Sequence, residues 1–160
     1  MDKVSTFLWF DGQAEEAATL YCSLLPDSRI DSIARAPGDY PAGQEGQVLV
    51  VEFTLAGRSF QAMNGGPGHP FTDAISLSVQ TEDQAETDRL WDALIDGGGA
   101  PVACGWLRDR FGLSWQITPK VLVQALGSSD RGASKRAFEA MMQMVKIDVA
   151  TIERAVAGEG

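Results

Sequence analysis

Glu52 stands alone as a carboxylate in the apolar run Val48-Leu49-Val50-Val51-Glu52-Phe53. A carboxylate in such a setting can work as a general base. It can equally be one half of a salt bridge to Arg58 or Arg108, because ion-pair networks also hold carboxylates among apolar residues. Few other residues could do chemistry. His69 is the one histidine and lies in the Gly/Pro loop 65–70, where it reads as a base, a ligand or a solvent-exposed loop residue. Cys104 precedes Gly105; Arg108 could supply the positive neighbour a thiolate needs. No His–Asp arrangement completes a hydrolase site, so a packed structural cysteine is expected. Cys22 falls on the inner half of a helical pattern and reads as core. Asn64, before Gly65-Gly66, can bind a ligand or form a turn. The run Arg108-Asp109-Arg110 is either a cross-strand ion network or places Arg108 against an anionic ligand. Trp9, Trp91 and Trp115 read as core, and Trp106 as a ligand contact.

Composition limits what these residues could serve. The chain has 160 residues, 44% hydrophobic and 22% charged, which suits one globular domain or two small fused modules. A net charge of −9 argues against nucleic acid and anionic membrane surfaces as partners. No apolar run approaches the roughly 20 residues that span a bilayer. The opening Met-Asp-Lys followed by strand-like alternation does not read as a signal peptide. Two cysteines are too few for a disulfide framework. The expectation is a soluble, reduced, cytoplasmic protein.

The elements that must position the candidates follow one plan twice, over 3–64 and 72–119. The first half reads as strand 4–11, helix 13–25, strand 28–36, loop 37–46, and strands 47–55 and 58–64 joined at Ala56-Gly57. The second reads as strand 74–81, helix 83–95, and strands 102–109 and 113–118. After Pro119 the pattern is helical: 121–126, 134–145 with Phe138, Met141, Met142 and Val145 on one stripe, and 148–157 capped by Asp148.

Three motifs carry a family resemblance. They are Phe7-Leu8-Trp9-Phe10-Asp11-Gly12-Gln13-Ala14-Glu15-Glu16-Ala17, Met63-Asn64-Gly65-Gly66-Pro67, and the run from Cys104-Gly105-Trp106 through Asp109-Arg110-Phe111-Gly112 to Trp115-Gln116. With them the chain resembles the PhnB-like proteins, often labelled demethylubiquinone methyltransferase-like, of the glyoxalase–bleomycin resistance–dioxygenase (vicinal-oxygen-chelate) superfamily. The resemblance covers nearly all of 3–157. It implies an α+β fold of two βαβββ modules (residues 1–119) around a ligand cleft, with a C-terminal helical extension (120–160) in the same domain. It also implies a homodimer, with the C-terminal helices in or near the interface.

Metal-using members of that superfamily place ligands at positions that correspond to Thr6, the region of Gln61, Ala74 and Gln116. Such a set is a poor one for a divalent cation, which prefers imidazole, thiolate or carboxylate. The expectation is therefore no metal and no cofactor. Strand alternation then turns Thr6, Leu8, Phe10, Val50, Glu52, Ser76, Ser114 and Gln116 to the cleft, and Asn64, Trp106 and Arg108 join them as candidate ligand contacts. A nucleotide-type methyl donor usually needs a Gly-rich turn from strand to helix. Gly65-Gly66-Pro67-Gly68 leads from strand to strand, and Gly97-Gly98-Gly99 follows a helix. The functional expectation is metal-free binding of a small organic molecule. The alternative is a metal-free enzyme with Glu52 as base. A metal-dependent lyase, isomerase or dioxygenase, and a methyltransferase, stand outside these two.

Overall fold

The chain divides after Pro70 into two compact units, and the computed structural model describes residues 2–159. In the first unit the order is β1 (Thr6–Phe10), α1 (Ala14–Leu24), β2 (Arg29–Arg35), β3 (Val48–Leu55) and β4 (Arg58–Asn64). The sheet order is β1-β4-β3-β2. β1 runs parallel to β4, and the other pairs are antiparallel. Helix α1 covers one face. Its small residues Ala14, Ala17 and Ala18 let the helix axis come close to the sheet, and Tyr21 fills the remaining space; all four are fully buried. Against them lie Leu8, Phe10, Val51, Phe53, Leu55, Phe60 and Ala62, all buried. The Ala56-Gly57 turn has positive φ at both residues (48° and 78°), as a tight two-residue hairpin demands.

The second unit repeats the plan with β5 (Ser76–Thr81), α2 (Gln84–Ile95), β6 (Ala100–Pro101), β7 (Trp106–Arg108) and β8 (Ser114–Pro119), in the order β5-β8-β7-β6. Asp83 caps α2 by accepting from the Glu86 amide at 2.9 Å. Leu90, Trp91 and Leu94 of the helix, and Leu107, Leu113, Trp115 and Ile117 below it, are buried. The fold is thus α+β, two βαβββ modules, followed by α3 (Lys120–Leu126), α4 (Arg131–Met141) and α5 (Val149–Ala157). These three helices share a core of Leu122, Ala125, Ala137, Ile147 and Ile152. Asp148 caps α5 through the Thr151 amide.

Several boundaries differ from the sequence reading, two of them with structural consequences. The strand expected over 102–109 shrinks to β7, and a turn in which Cys104 and Gly105 both have positive φ (61° and 82°) separates it from β6, which lies before the expected start. The amides of Cys104 and Gly105 donate to the carbonyls of Met144 and Val145, at 2.9 and 2.7 Å. Those carbonyls are available because the helix expected over 134–145 ends at Met141. Among the described residues, no helix is long and apolar enough to cross a membrane.

Candidate functional site

Each sheet has one face packed on its helix and one turned away from it. On β5 and β8 the outer positions are those the alternation predicts, and register sets Trp106 and Arg108 of β7 beside them. One rung holds Ser76, Ser114 and Arg108, and the next holds Ser78, Gln116 and Trp106. Leu107, Trp115 and Ile117 are buried on the helix side, and register puts Leu77 on the same side. The Gln116 amide Nε2 donates to Ser76 Oγ at 3.0 Å.

Sequence reasoning missed Asp73, which sits in the turn just before β5. Its carboxylate receives Arg108 Nε at 3.0 Å and Nη2 at 2.7 Å, one on each oxygen. Ser114 Oγ donates to the same carboxylate at 2.7 Å. The two-point hydrogen bond from Arg108, helped by the Ser114 hydroxyl, pulls the Asp73 pKa down to about 2. No local signal could have found this pair, since 35 residues separate its members. Arg108 thereby resolves the Arg108-Asp109-Arg110 run. Asp109 turns inward instead, buried, and accepts from the amides of Phe111 and Leu113 and from Trp115 Nε1. Arg110 lies over the Phe111 ring, 4.9 Å from its centroid.

On the first sheet the outer face carries the rungs Phe7–Gln61–Glu52–Ser32 and Trp9–Met63–Val50–Ala34. Glu52 is half-buried and accepts from Ser32 Oγ at 3.0 Å. Arg58 pairs with Leu55, three rungs away and on the other face, so it does not serve Glu52. Glu52 borders a recess of about 510 Å³ at the hairpin end, with Asp2, Asp27, Arg29, Asp31, Thr54 and Ser59 among its walls. Asp31 there holds Arg29 at 2.9 Å and accepts from Thr54 Oγ1 at 2.7 Å.

Three expected contacts on β1 are corrected. Leu8 and Phe10 are 3% exposed and belong to the core under α1, and Thr6 shares their side by register with Phe60. The outward residues are Phe7, half exposed, and Trp9. Asn64 is likewise not a ligand contact. Its Oδ1 accepts from the Ala14 amide at 2.8 Å and its Nδ2 donates to the Val48 carbonyl at 3.1 Å. It supplies the cap that Gln13, at the N-cap position, does not provide. Trp9 is also outside the core: its Nε1 donates to the Gly66 carbonyl at 2.9 Å, and exposed His69 packs 4.5 Å from its ring. Cys22 donates to the Thr54 carbonyl, and burial together with Asp31 raises its thiol pKa.

The residues do not fit a metal. Thr6 lies on the helix side, Ala74 has no donor, and the Gln116 amide faces the Ser76 hydroxyl. Among the described residues, no three His, Cys, Asp or Glu side chains converge as a cation would require.

Residues 2–118 match the family model described as 3-demethylubiquinone-9 3-methyltransferase. The PhnB protein of Bacillus cereus is 38% identical over 74% of this chain and 99% of its own, with a TM-score of 0.66. A Pseudomonas aeruginosa protein, 19% identical over 74% of this chain and 98% of its own, shares the fold at a TM-score of 0.61. No curated protein matches the chain.

Proposed function

The chain belongs to the family described as 3-demethylubiquinone-9 3-methyltransferase, the PhnB-like group of the vicinal-oxygen-chelate superfamily, and from there we propose that it binds a small organic molecule without a metal. One observation carries this reading. Ser76, Trp106, Arg108, Ser114 and Gln116 occupy two adjacent rungs on the face of the second sheet turned away from α2. Hydroxyls, an amide, an indole and one guanidinium can hydrogen-bond and stack a ligand. The one hydroxyl among them that meets a carboxylate, Ser114, meets Asp73, whose basicity Arg108 has drawn down. The methyltransferase in the family's description has no matching cradle. The turns from β1 to α1 and from β5 to α2 carry Asp11, Glu82 and Asp83 rather than a glycine-rich loop.

The test is a thermal-shift screen of small metabolites on protein treated with a chelator. A ligand at about 100 times its Kd adds about 2.7 kcal/mol to stability. The expected hit raises the Tm of the wild type and not that of Gln116→Ala or Trp106→Ala. A shift that disappears with chelation defeats the metal-free reading.

The recess beside Glu52 favours a second reading, an enzyme with Glu52 as general base. In that case Glu52→Gln abolishes turnover of a bound molecule and leaves its affinity unchanged. The protein acts as a homodimer in either reading. Phe138, Met142 and Val145 support this, each about half exposed on and just after α4.

A further inference from the structure

The trio Asp73, Arg108 and Ser114 is a complete carboxylate receptor with a carboxylate already in it. The guanidinium meets both oxygens in the fork geometry that suits planar carboxylates, and a hydroxyl closes on one of them. The anion is not part of the sheet. Asp73 hangs from the exposed turn 72–75, whose own local tie is a 3.3 Å bond from the Ala74 amide to Thr72 Oγ1. The Arg108 and Asp73 side chains are 47% and 55% exposed, so solvent ions and solutes reach the pair. Both partners stay in contact with water, which limits what the pair contributes to stability.

Ser114 makes an exchange of partners selective. It is 1% exposed, and its hydroxyl donates to Asp73. Were Asp73 to swing away with nothing in its place, a buried hydroxyl would lose its acceptor, which is costly. An incoming group that brings an oxygen acceptor as well as negative charge replaces every contact that Asp73 gives up. The rung beyond, two residues along β7 and about 6.6 Å away, presents Trp106 and Gln116. The outward positions of β5 and β8 are Ser76, Ser78, Gln80, Ser114, Gln116 and Thr118, so Arg108 is the one cation in this patch.

We propose, resting on the binding reading above, that the ligand of this face is a carboxylate with a flat apolar body, and that Asp73 is its built-in competitor for Arg108 and Ser114. The ligand carboxylate takes the Arg108 fork, its body lies on Trp106, and Asp73 moves into solvent on its turn. A simple structural fastening of the 72–75 turn makes the opposite forecast, since loss of Asp73 would then only loosen the unit.

The experiment is titration of wild type, Asp73→Asn, Asp73→Ala and Arg108→Gln with benzoate and with benzamide. Binding is read by calorimetry and by the indole N–H resonance of Trp106, assigned with Trp106→Phe. The expected result is benzoate binding at least tenfold tighter in both Asp73 variants, little change for benzamide, and loss of benzoate binding in Arg108→Gln. Equal or weaker benzoate binding in folded Asp73 variants overturns the proposal, as does an equal gain for benzamide. If a neutral molecule from the thermal-shift screen binds while benzoate binds no variant, the competitor idea falls and the binding reading stands. If nothing binds, both fall.

Discussion

Asn64 shows how a side chain that reads as a candidate ligand contact in the sequence is spent on structure in the fold. Both ends of its amide are taken, by the Ala14 amide and the Val48 carbonyl. Asn64→Ala strips the first turn of α1 of its cap and should cost about 1–2 kcal/mol, read as a lower urea midpoint at unchanged m-value. Asp73 is the reverse case, a residue just ahead of the strand expected at 74 that proves to be the counter-charge of Arg108. Hydrogen bonds from Arg108 and Ser114 bring its pKa from the ordinary 3.8 to about 2. Because the folded value is the lower one, its contribution to stability is full above 3.8 and is lost as pH falls towards 2. The stability difference between wild type and Asp73→Asn should therefore close between pH 3.8 and about 2. A difference that stays constant across that window would show that the carboxylate is not ionised through this pair.

Strands were legible to the extent that their sequence has a phase. β8 reads Ser-Trp-Gln-Ile-Thr, polar and apolar in strict turn, and its outward residues follow from alternation. β1 reads Thr-Phe-Leu-Trp-Phe, apolar at every step after Thr6, so a period of two has no preferred side. What decides its side is long-range: α1 presents three alanines and Tyr21, leaving room for Leu8 and Phe10, while Trp9 finds Gly66 and His69 on the other face. Gly65 belongs to the same arrangement, for a methyl group there would overlap the indole of Trp9. Gly65→Ala should force the ring aside, cost about 1–3 kcal/mol, and shift the tryptophan emission maximum. Unchanged emission and stability would mean that this loop is not what holds Trp9. The β6–β7 break was equally hidden, because its partners lie some forty residues on, at Met144 and Val145.

The whole chain was legible as a repeat, because strand, helix and turn signals recur in the same order in both halves, and both sheets have the corresponding strand order. Its ligand was not, since shape and polarity of a face do not name a molecule. Assembly is tested at this scale. Sedimentation velocity at about 10 μM should give a homodimer, and Met142→Glu or Phe138→Asp should give monomers. With −9 on each chain, the dimer should weaken as salt is lowered, because like charges are then less screened. A monomeric wild type at that concentration ends the assembly proposal.

The turn at Cys104 and Gly105 also sets an order in time. The first unit has its helix and all four strands by residue 64. The second has its last strand by Pro119, yet the amides of its β6–β7 turn find acceptors only at Met144 and Val145, and Ile147 packs beside Gly105. On the ribosome, then, the N-terminal half can close while the C-terminal half waits for nearly thirty further residues. Throughout that interval the segment still being made is the missing piece of a sheet already synthesised, and a chain released early would carry one finished unit and one left open.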